Sequence, residues 1–434
     1  MIKTIIENKK LYLLWMILVL MITASVVTST VLSLAAFAAL LVAVIFFAPN
    51  DALVLLTALL PFANIFKMGP TQTSLFTVAE LVLVVVLILK IKKIRTSFFL
   101  AVLALAVYVI ITSAENINVL LIVKFLFGFL LIYFALKTLR TDDIKSIAYL
   151  WAAGAIVMMV LTLNNAYLAY VLPYYDEVNL LVGSNVGGDV IRASGFFGDP
   201  NYCSVFLILT LATLCTLYYH KLVKIEFWFL FVPISVLGFF TYSKSYFLAV
   251  CVLILFLLIF VLFPKHKGWA ILSIAAMAVI LFLILDGRIE LVNVMLERFK
   301  GGDLTTGRAA LNDIYMAYIR ENPLVMLFGE GIATDIISGA NNNVHNIYIE
   351  SLVKFGVVGC AAYLLNLKLA IGELSLRGKR VADFLPLLFM LVMYFFLAGI
   401  TAYDLSFYII IVFGVLSATY APVQNIQADD NQLK

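Results

Sequence analysis

Of the chain's three histidines, one has surroundings suited to proton transfer. His345 lies in Asn341-Asn342-Asn343-Val344-His345-Asn346, where a long apolar segment begins, whereas His220 and His266 sit beside lysines. An imidazole titrating near neutral pH can take a proton from an attacking hydroxyl, which makes His345 the best available general base. The competing account is a polar anchor at a membrane interface. Arg192, in Arg192-Ala193-Ser194-Gly195-Phe196-Phe197-Gly198-Asp199-Pro200-Asn201, and Arg308, in Thr305-Thr306-Gly307-Arg308, flank apolar or amphipathic segments in the same way. Guanidinium forks hold a diphosphate bidentately and neutralise a leaving group; arginines beside a bilayer also snorkel to lipid phosphates. Lys244, in Thr241-Tyr242-Ser243-Lys244-Ser245, can add a point charge to the same site.

Two further ionisable groups, Glu80 and Lys124, are read as lying within apolar segments. Intramembrane charges are costly and default to pairing or function, and a structural Glu80–Lys124 ion pair is preferred to a substrate contact. Tyr403 and Asp404 mark a last outward turn and are weaker candidates. The four cysteines form no CxxC pair and are read as packing residues. There is no DxD-like pair, HExxH or P-loop, so neither a metal nor a cofactor is expected. Without a nucleotide signature, a lipid-linked donor suits this chain better than a nucleotide sugar.

The elements that must position these residues are apolar helices. Hydrophobic residues make up 64% of the chain and charged residues 12%, in blocks near the ~20 residues that cross a bilayer. The expected fold is all-α, a polytopic transmembrane helix bundle of about 12–14 spans. Spans are placed near 11–29, 31–48, 52–66, 75–90, 97–113, 117–136, 146–163, 202–219, 226–242, 246–263, 269–285, 346–367, 384–400 and 404–420. The apolar stretch from Leu11 to Ala48 is too long for a cleavable signal. Residues 1–421 are read as one transmembrane domain and 422–434 as a short, disordered cytoplasmic tail.

With the N-terminus in the cytoplasm, most of the chain's 29 lysines and arginines fall in cytoplasmic loops. Trp15, Trp151, Trp228 and Trp269 then mark the cytoplasmic starts of outward-going spans, where an interfacial indole sits well. Two long loops, 164–201 and 286–345, face outward and carry Arg192, Arg308 and His345. The second loop is expected to contain amphipathic helices along the membrane surface. One spans 289–299; the other spans 307–321, with Leu311, Ile314, Tyr315 and Tyr318 aligned, a Thr305 or Thr306 cap, and Pro323 as its stop.

Taken in order, Arg192-x-x-Gly195-x-Phe197-x-Asp199-Pro200-Asn201, Thr241-x-Ser243-Lys244, Gly307-Arg308, Leu327-Phe328-Gly329-x-Gly331 and His345-Asn346-x-Tyr348-x-x-x-Leu352-x-x-x-Gly356-x-x-Gly359 resemble the signature of O-antigen ligase and polymerase (Wzy-type) membrane proteins. The resemblance covers roughly residues 190–360. It implies a GT-C-like, metal-independent membrane glycosyltransferase whose donor glycan hangs on undecaprenyl diphosphate. On that resemblance Arg192 and Arg308 bind the diphosphate, His345 helps activate the acceptor hydroxyl, and Asp199, Asn201 and Asn346 support the motif. Lys244 departs from it, because the family usually shows arginine there and lysine lacks the fork.

The expected activity is polymerisation of lipid-linked repeat units on the outer face of the bacterial inner membrane. Ligation to lipid A core or another acceptor is the alternative, and a lipid-linked oligosaccharide flippase is less favoured. Expected partners are the lipid-linked donor, a glycan or lipid-linked acceptor, the bilayer, a flippase and a chain-length regulator, with no nucleic acid.

Overall fold

The computed structural model describes residues 9–66, 74–91, 94–114, 117–164, 192–262, 308–334, 336–337, 340, 343–372, 379–397, 399 and 403–419. Among them every regular element is helical. In chain order these are α1 (Lys9–Val27), α2 (Thr30–Phe46), α3 (Pro49–Ala58, followed by a 3₁₀ segment Leu60–Phe66), α4 (Leu75–Ile91), α5 (Thr96–Thr112), α6 (Val119–Thr138), α7 (Thr141–Thr162) and α8 (Pro200–Tyr219). There follow α9 (Glu226–Leu237, continued by Gly238–Thr241), α10 (Lys244–Phe256, ending in a π turn Leu257–Leu262), α11 (Arg308–Glu321), α12 (Pro323–Phe328), α13 (Ile347–Ile371), α14 (Leu385–Met393, flanked by Val381–Phe384 and Tyr394–Phe396) and α15 (Tyr403–Ala418). Every expected span except 269–285 coincides with one of these; 269–285, the helix expected at 289–299 and the 422–434 tail lie outside the described residues.

Six of the helices are long and apolar enough to cross a membrane: α1, α6, α7, α8, α10 with its π turn, and α13. Their outer faces carry large apolar side chains, such as Leu13, Met16, Ile17 and Leu20 on α1 and Val357, Val358, Leu364 and Leu365 on α13. An apolar surface of that extent belongs in lipid, and the chain is a polytopic membrane protein. At the centre stands α8, apolar on all sides and 83% buried across its membrane-length window.

Helix breaks inside the bundle are closed by side chains, since no water reaches them. Pro61 has no N–H to give the Thr57 carbonyl, and Phe62 N–H turns to Leu59 O, 2.9 Å away, instead of Ala58. The two orphaned carbonyls accept from indoles: Trp151 Nε1 reaches Thr57 O at 2.6 Å, and Trp15 Nε1 reaches Ala58 O at 3.1 Å. This corrects the sequence expectation. Trp15 and Trp151 are buried helix locks rather than interfacial markers, Trp228 packs on Tyr218 and Phe227, and Trp269 lies outside the described residues.

The main break is in α13, where Gly356 takes φ 59, ψ −174 inside the helix. The carbonyls just before it turn to other donors. Glu330 N–H bonds Val353 O at 2.8 Å and Gly331 N–H bonds Lys354 O at 3.1 Å. Tyr108 of α5 inserts into the gap, its single hydroxyl proton placed between Phe355 O at 2.6 Å and Phe328 O at 2.8 Å while its oxygen accepts from Gly359 N–H. Gly359 leaves room for that ring, which a Cβ would meet at 2.6 Å. The Leu327-to-Gly331 and Gly356-x-x-Gly359 motifs are thus two sides of one joint. A Cβ on Gly356 would lie 2.4 Å from the Leu327 backbone, at a φ that alone strains an L-residue by roughly 1–3 kcal/mol. Gly356→Ala is therefore expected to lower the melting temperature of the purified protein and its yield of folded material.

Helix α11 coincides with the helix expected at 307–321. Tyr315 and Ile319 are buried, with Leu311, Met316 and Tyr318 beside them, in a small second core with Ile337, Val344 and Val353, while Ile314 is 43% exposed. The helix packs against α13, and of the expected face Leu311, Tyr315 and Tyr318 turn into this core while Ile314 alone does not. After α11, Pro323 opens α12 at once and does not simply end the helix; Thr305 and Thr306 lie outside the described residues.

Candidate functional site

The segment leading into α8 is built by its own motif. Gly195 (φ 55) and Gly198 (φ 76) turn the chain, and a Cβ on Gly195 would collide with Met158 Sδ at 2.6 Å. Asp199 is the N-cap of α8, accepting from Asn201 N–H at 2.5 Å, and Pro200 takes the first helical position. The turn lays Arg192 against the end of α9. Ala193 N–H bonds Phe240 O at 2.8 Å, and the buried Arg192 donates from Nε to Thr241 O at 2.9 Å.

Between α9 and α10, Tyr242 is held at φ 47, a rare conformation for an aromatic residue. The following Ser243 hydroxyl reaches Asn201 Oδ1 at 3.5 Å and Ser245 Oγ at 2.8 Å, while Thr241 Oγ1 accepts from Ser204 at 3.1 Å. Lys244 is the first residue of α10 and half-buried, so the tie between Ser243 and Asn201 fixes its backbone beside the Asp199 cap.

Arg308 opens α11, and His345 lies just before Asn346, the N-cap of α13. The Arg308 guanidinium lies over the Phe396 ring, 5.8 Å from its centroid. Burial lowers the Arg308 pKa, while the nearby Asp199 opposes that shift; a guanidinium remains charged at neutral pH. Burial also pushes the His345 pKa below its ordinary value near 6.5, the positive Arg308 adds to the effect, and Asp199 works against it. Burial and Arg308 both favour the neutral imidazole, the form that can accept a proton. Arg308, Asp199 and His345 form one electrostatic group at the end of the bundle where α8 and α13 begin. At the other end of α8, His220 bonds Asp383 and Arg380 lies over Tyr219.

Arg192, Asp199, Asn201, Lys244, Arg308 and His345 thus gather at one end, through the α8 cap and the Arg192–Thr241 and Ser243–Asn201 bonds. Asn346 is a buried N-cap of α13, accepting from Tyr348 N–H at 3.0 Å and Ile349 N–H at 3.3 Å, so its side chain positions the residue before it. Glu80 is buried on α4, and Lys124 is half-buried on α6, which packs against α4. Tyr403 begins α15 and Asp404 follows it. Among the described residues no group of three or more His, Cys, Asp or Glu side chains could hold a metal ion.

The sequence reading named Glu80 and Lys124 as the charges within spans, and the structure adds two. Glu350 and Lys354, one helical turn apart on α13, are both buried and paired at 3.0 Å. Their i, i+4 spacing in an apolar run was the available signal. Phe396, behind Arg308, had none, because an aromatic at the end of an apolar block is ordinary.

Residues 229–364 match the family model described as O-antigen ligase. That stretch includes Thr241 to Lys244, Arg308, the joint at Gly356 and His345, whereas Arg192 and Asp199 precede it. No curated protein and no solved structure matches the chain. Over residues 229–364, then, the chain is similar to the O-antigen ligases.

Proposed function

We propose that the protein polymerises lipid-linked glycan repeat units on the extracytoplasmic face of the bacterial inner membrane, with both termini in the cytoplasm. The observation that carries this reading is the grouping of Arg308 and Asp199 with His345 at the end of the bundle where α8 and α13 begin. In the proposed step an acceptor sugar hydroxyl gives its proton to His345 and attacks the anomeric carbon of the donor. The bond from that carbon to the diphosphate oxygen breaks, and undecaprenyl diphosphate leaves with its charge met by Arg308, Arg192 and Lys244. Neither a metal nor a nucleotide takes part. The gathering of Lys90, Arg95, Lys137, Arg140 and Lys379 toward the helix ends away from this group supports the orientation. A flippase and a chain-length regulator are natural neighbours of such an enzyme.

A ligase reading, with lipid A core or another acceptor, is favoured by the printed description of the matching family. Purified protein in lipid, given synthetic undecaprenyl-diphosphate repeat units, separates the two. A product ladder without added nucleotide supports polymerisation. A single transfer to lipid A core with no ladder selects ligation, and transport of intact donor without transfer refutes both.

A further inference from the structure

The half-helix that carries His345, from Ile347 to the Gly356 break, is tied to α14 and the chain beyond it by two bonds. Tyr348 donates to Leu391 O at 2.8 Å and packs on Phe395, with ring centroids 4.6 Å apart. Two residues on, Glu350 uses both oxygens: Oε1 meets Lys354 Nζ at 3.0 Å, and Oε2 accepts from Gly399 N–H at 2.6 Å. Gly399 follows by three residues the Phe396 ring on which Arg308 rests. The carboxylate therefore joins the helix beneath His345 to the segment beneath Arg308.

We infer that Glu350 is a positioning residue, which sets the separation of His345 from Arg308 by bonding the Gly399 amide while Lys354 neutralises its charge. The inference rests on His345 acting as base and Arg308 as diphosphate ligand, and it names what holds the two in register. The charges acting on His345 are Arg308 from α11 and Asp199 from the start of α8; Glu350 and Lys354 lie on its own helix.

The test is an ¹⁵N-imidazole titration of His345 in reconstituted full-length protein, with the signal assigned by its loss in His345→Asn, alongside kcat and KM for glycan transfer. Loss of a carboxylate by itself lowers a histidine pKa. Retreat of Arg308 raises it toward the ordinary value. Glu350→Ala is expected to raise the titration midpoint and to reduce kcat about 100-fold, as an ångström-scale misplacement does. The Glu350→Gln/Lys354→Met double variant keeps an acceptor for Gly399 and leaves no unpaired charge, and is expected to restore the midpoint and most of the turnover. Should Glu350→Ala fail to fold, Glu350→Leu/Lys354→Met removes the same bond without burying a lone charge and is expected to raise the midpoint equally. A midpoint that stays or falls on loss of the Gly399 bond overturns the inference, as does a Gln/Met variant no better than Ala. If the wild type transfers no glycan, the proposed activity fails, while the titration still decides whether Glu350 sets the two groups' separation.

Discussion

His345→Ala is expected to lower glycan transfer by about 10²–10⁴-fold, the range removed with a positioned general base, while KM for the lipid-linked donor changes little. The imidazole must be neutral to accept the hydroxyl proton. Burial and Arg308 depress its pKa, so the wild-type rate should hold as pH falls through 6.5 and decline only below that value. The sign follows from the groups that surround it: removing Arg308 takes away a positive neighbour and should move the acid limb of the profile upward, whereas removing Asp199 should move it downward. Initial rates of His345→Ala and wild type across pH 4.5–8 in the elongation assay check both statements. Unchanged activity in the alanine variant removes the base assignment.

Arg308→Ala is expected to lower kcat by about 10²–10³-fold, the loss typical when a charged or hydrogen-bonding stabiliser of developing negative charge is taken away. Lysine at 308 should recover little, because it keeps the charge but loses the planar fork and its fit over Phe396. Arg192→Ala should also impair transfer, but it is the less clean experiment. Arg192 is buried and bonded to Thr241 O at 2.9 Å, so its loss also loosens the approach to α8. Competition by free undecaprenyl diphosphate against the labelled donor reads the site directly: Arg308→Ala should weaken it in step with the loss of rate. Full activity in both arginine variants eliminates the diphosphate site.

The bundle was largely legible in the sequence because membrane helices announce themselves through block length, and block length survives ignorance of tertiary contacts. The candidate site residues stand out in the sequence for a related reason. In a chain with few charges, Arg192, Arg308 and His345 stand out, and Asp199-Pro200 reads directly as a cap followed by a first helical residue. What the sequence concealed depends on partners far away along the chain. Trp15 and Trp151 resemble interfacial residues until Pro61 is seen to orphan the carbonyls they satisfy, with Trp151 reaching across 94 positions. Helical period gave Leu311, Tyr315 and Tyr318 of the buried face of α11, whereas its partners Ile337, Val344 and Val353 lie outside 307–321 and beyond any period within it. Glu350 and Lys354 were passed over because an apolar span was read as a whole, although a charge pair one turn apart is the form in which a buried carboxylate is tolerated. The Gly356 joint was visible as a motif but not as a mechanism, since Tyr108 enters it from 247 positions away.

The account turns on which bond of the donor breaks. A single turnover of the purified protein with one lipid-linked repeat unit and a saturating acceptor, with lipid products resolved by mass, measures that directly. The account predicts one undecaprenyl diphosphate released for each glycosidic bond formed, with neither product in His345→Ala or Arg308→Ala. Release of undecaprenyl monophosphate together with a phosphorylated glycan would place the cleavage at phosphorus and contradict it.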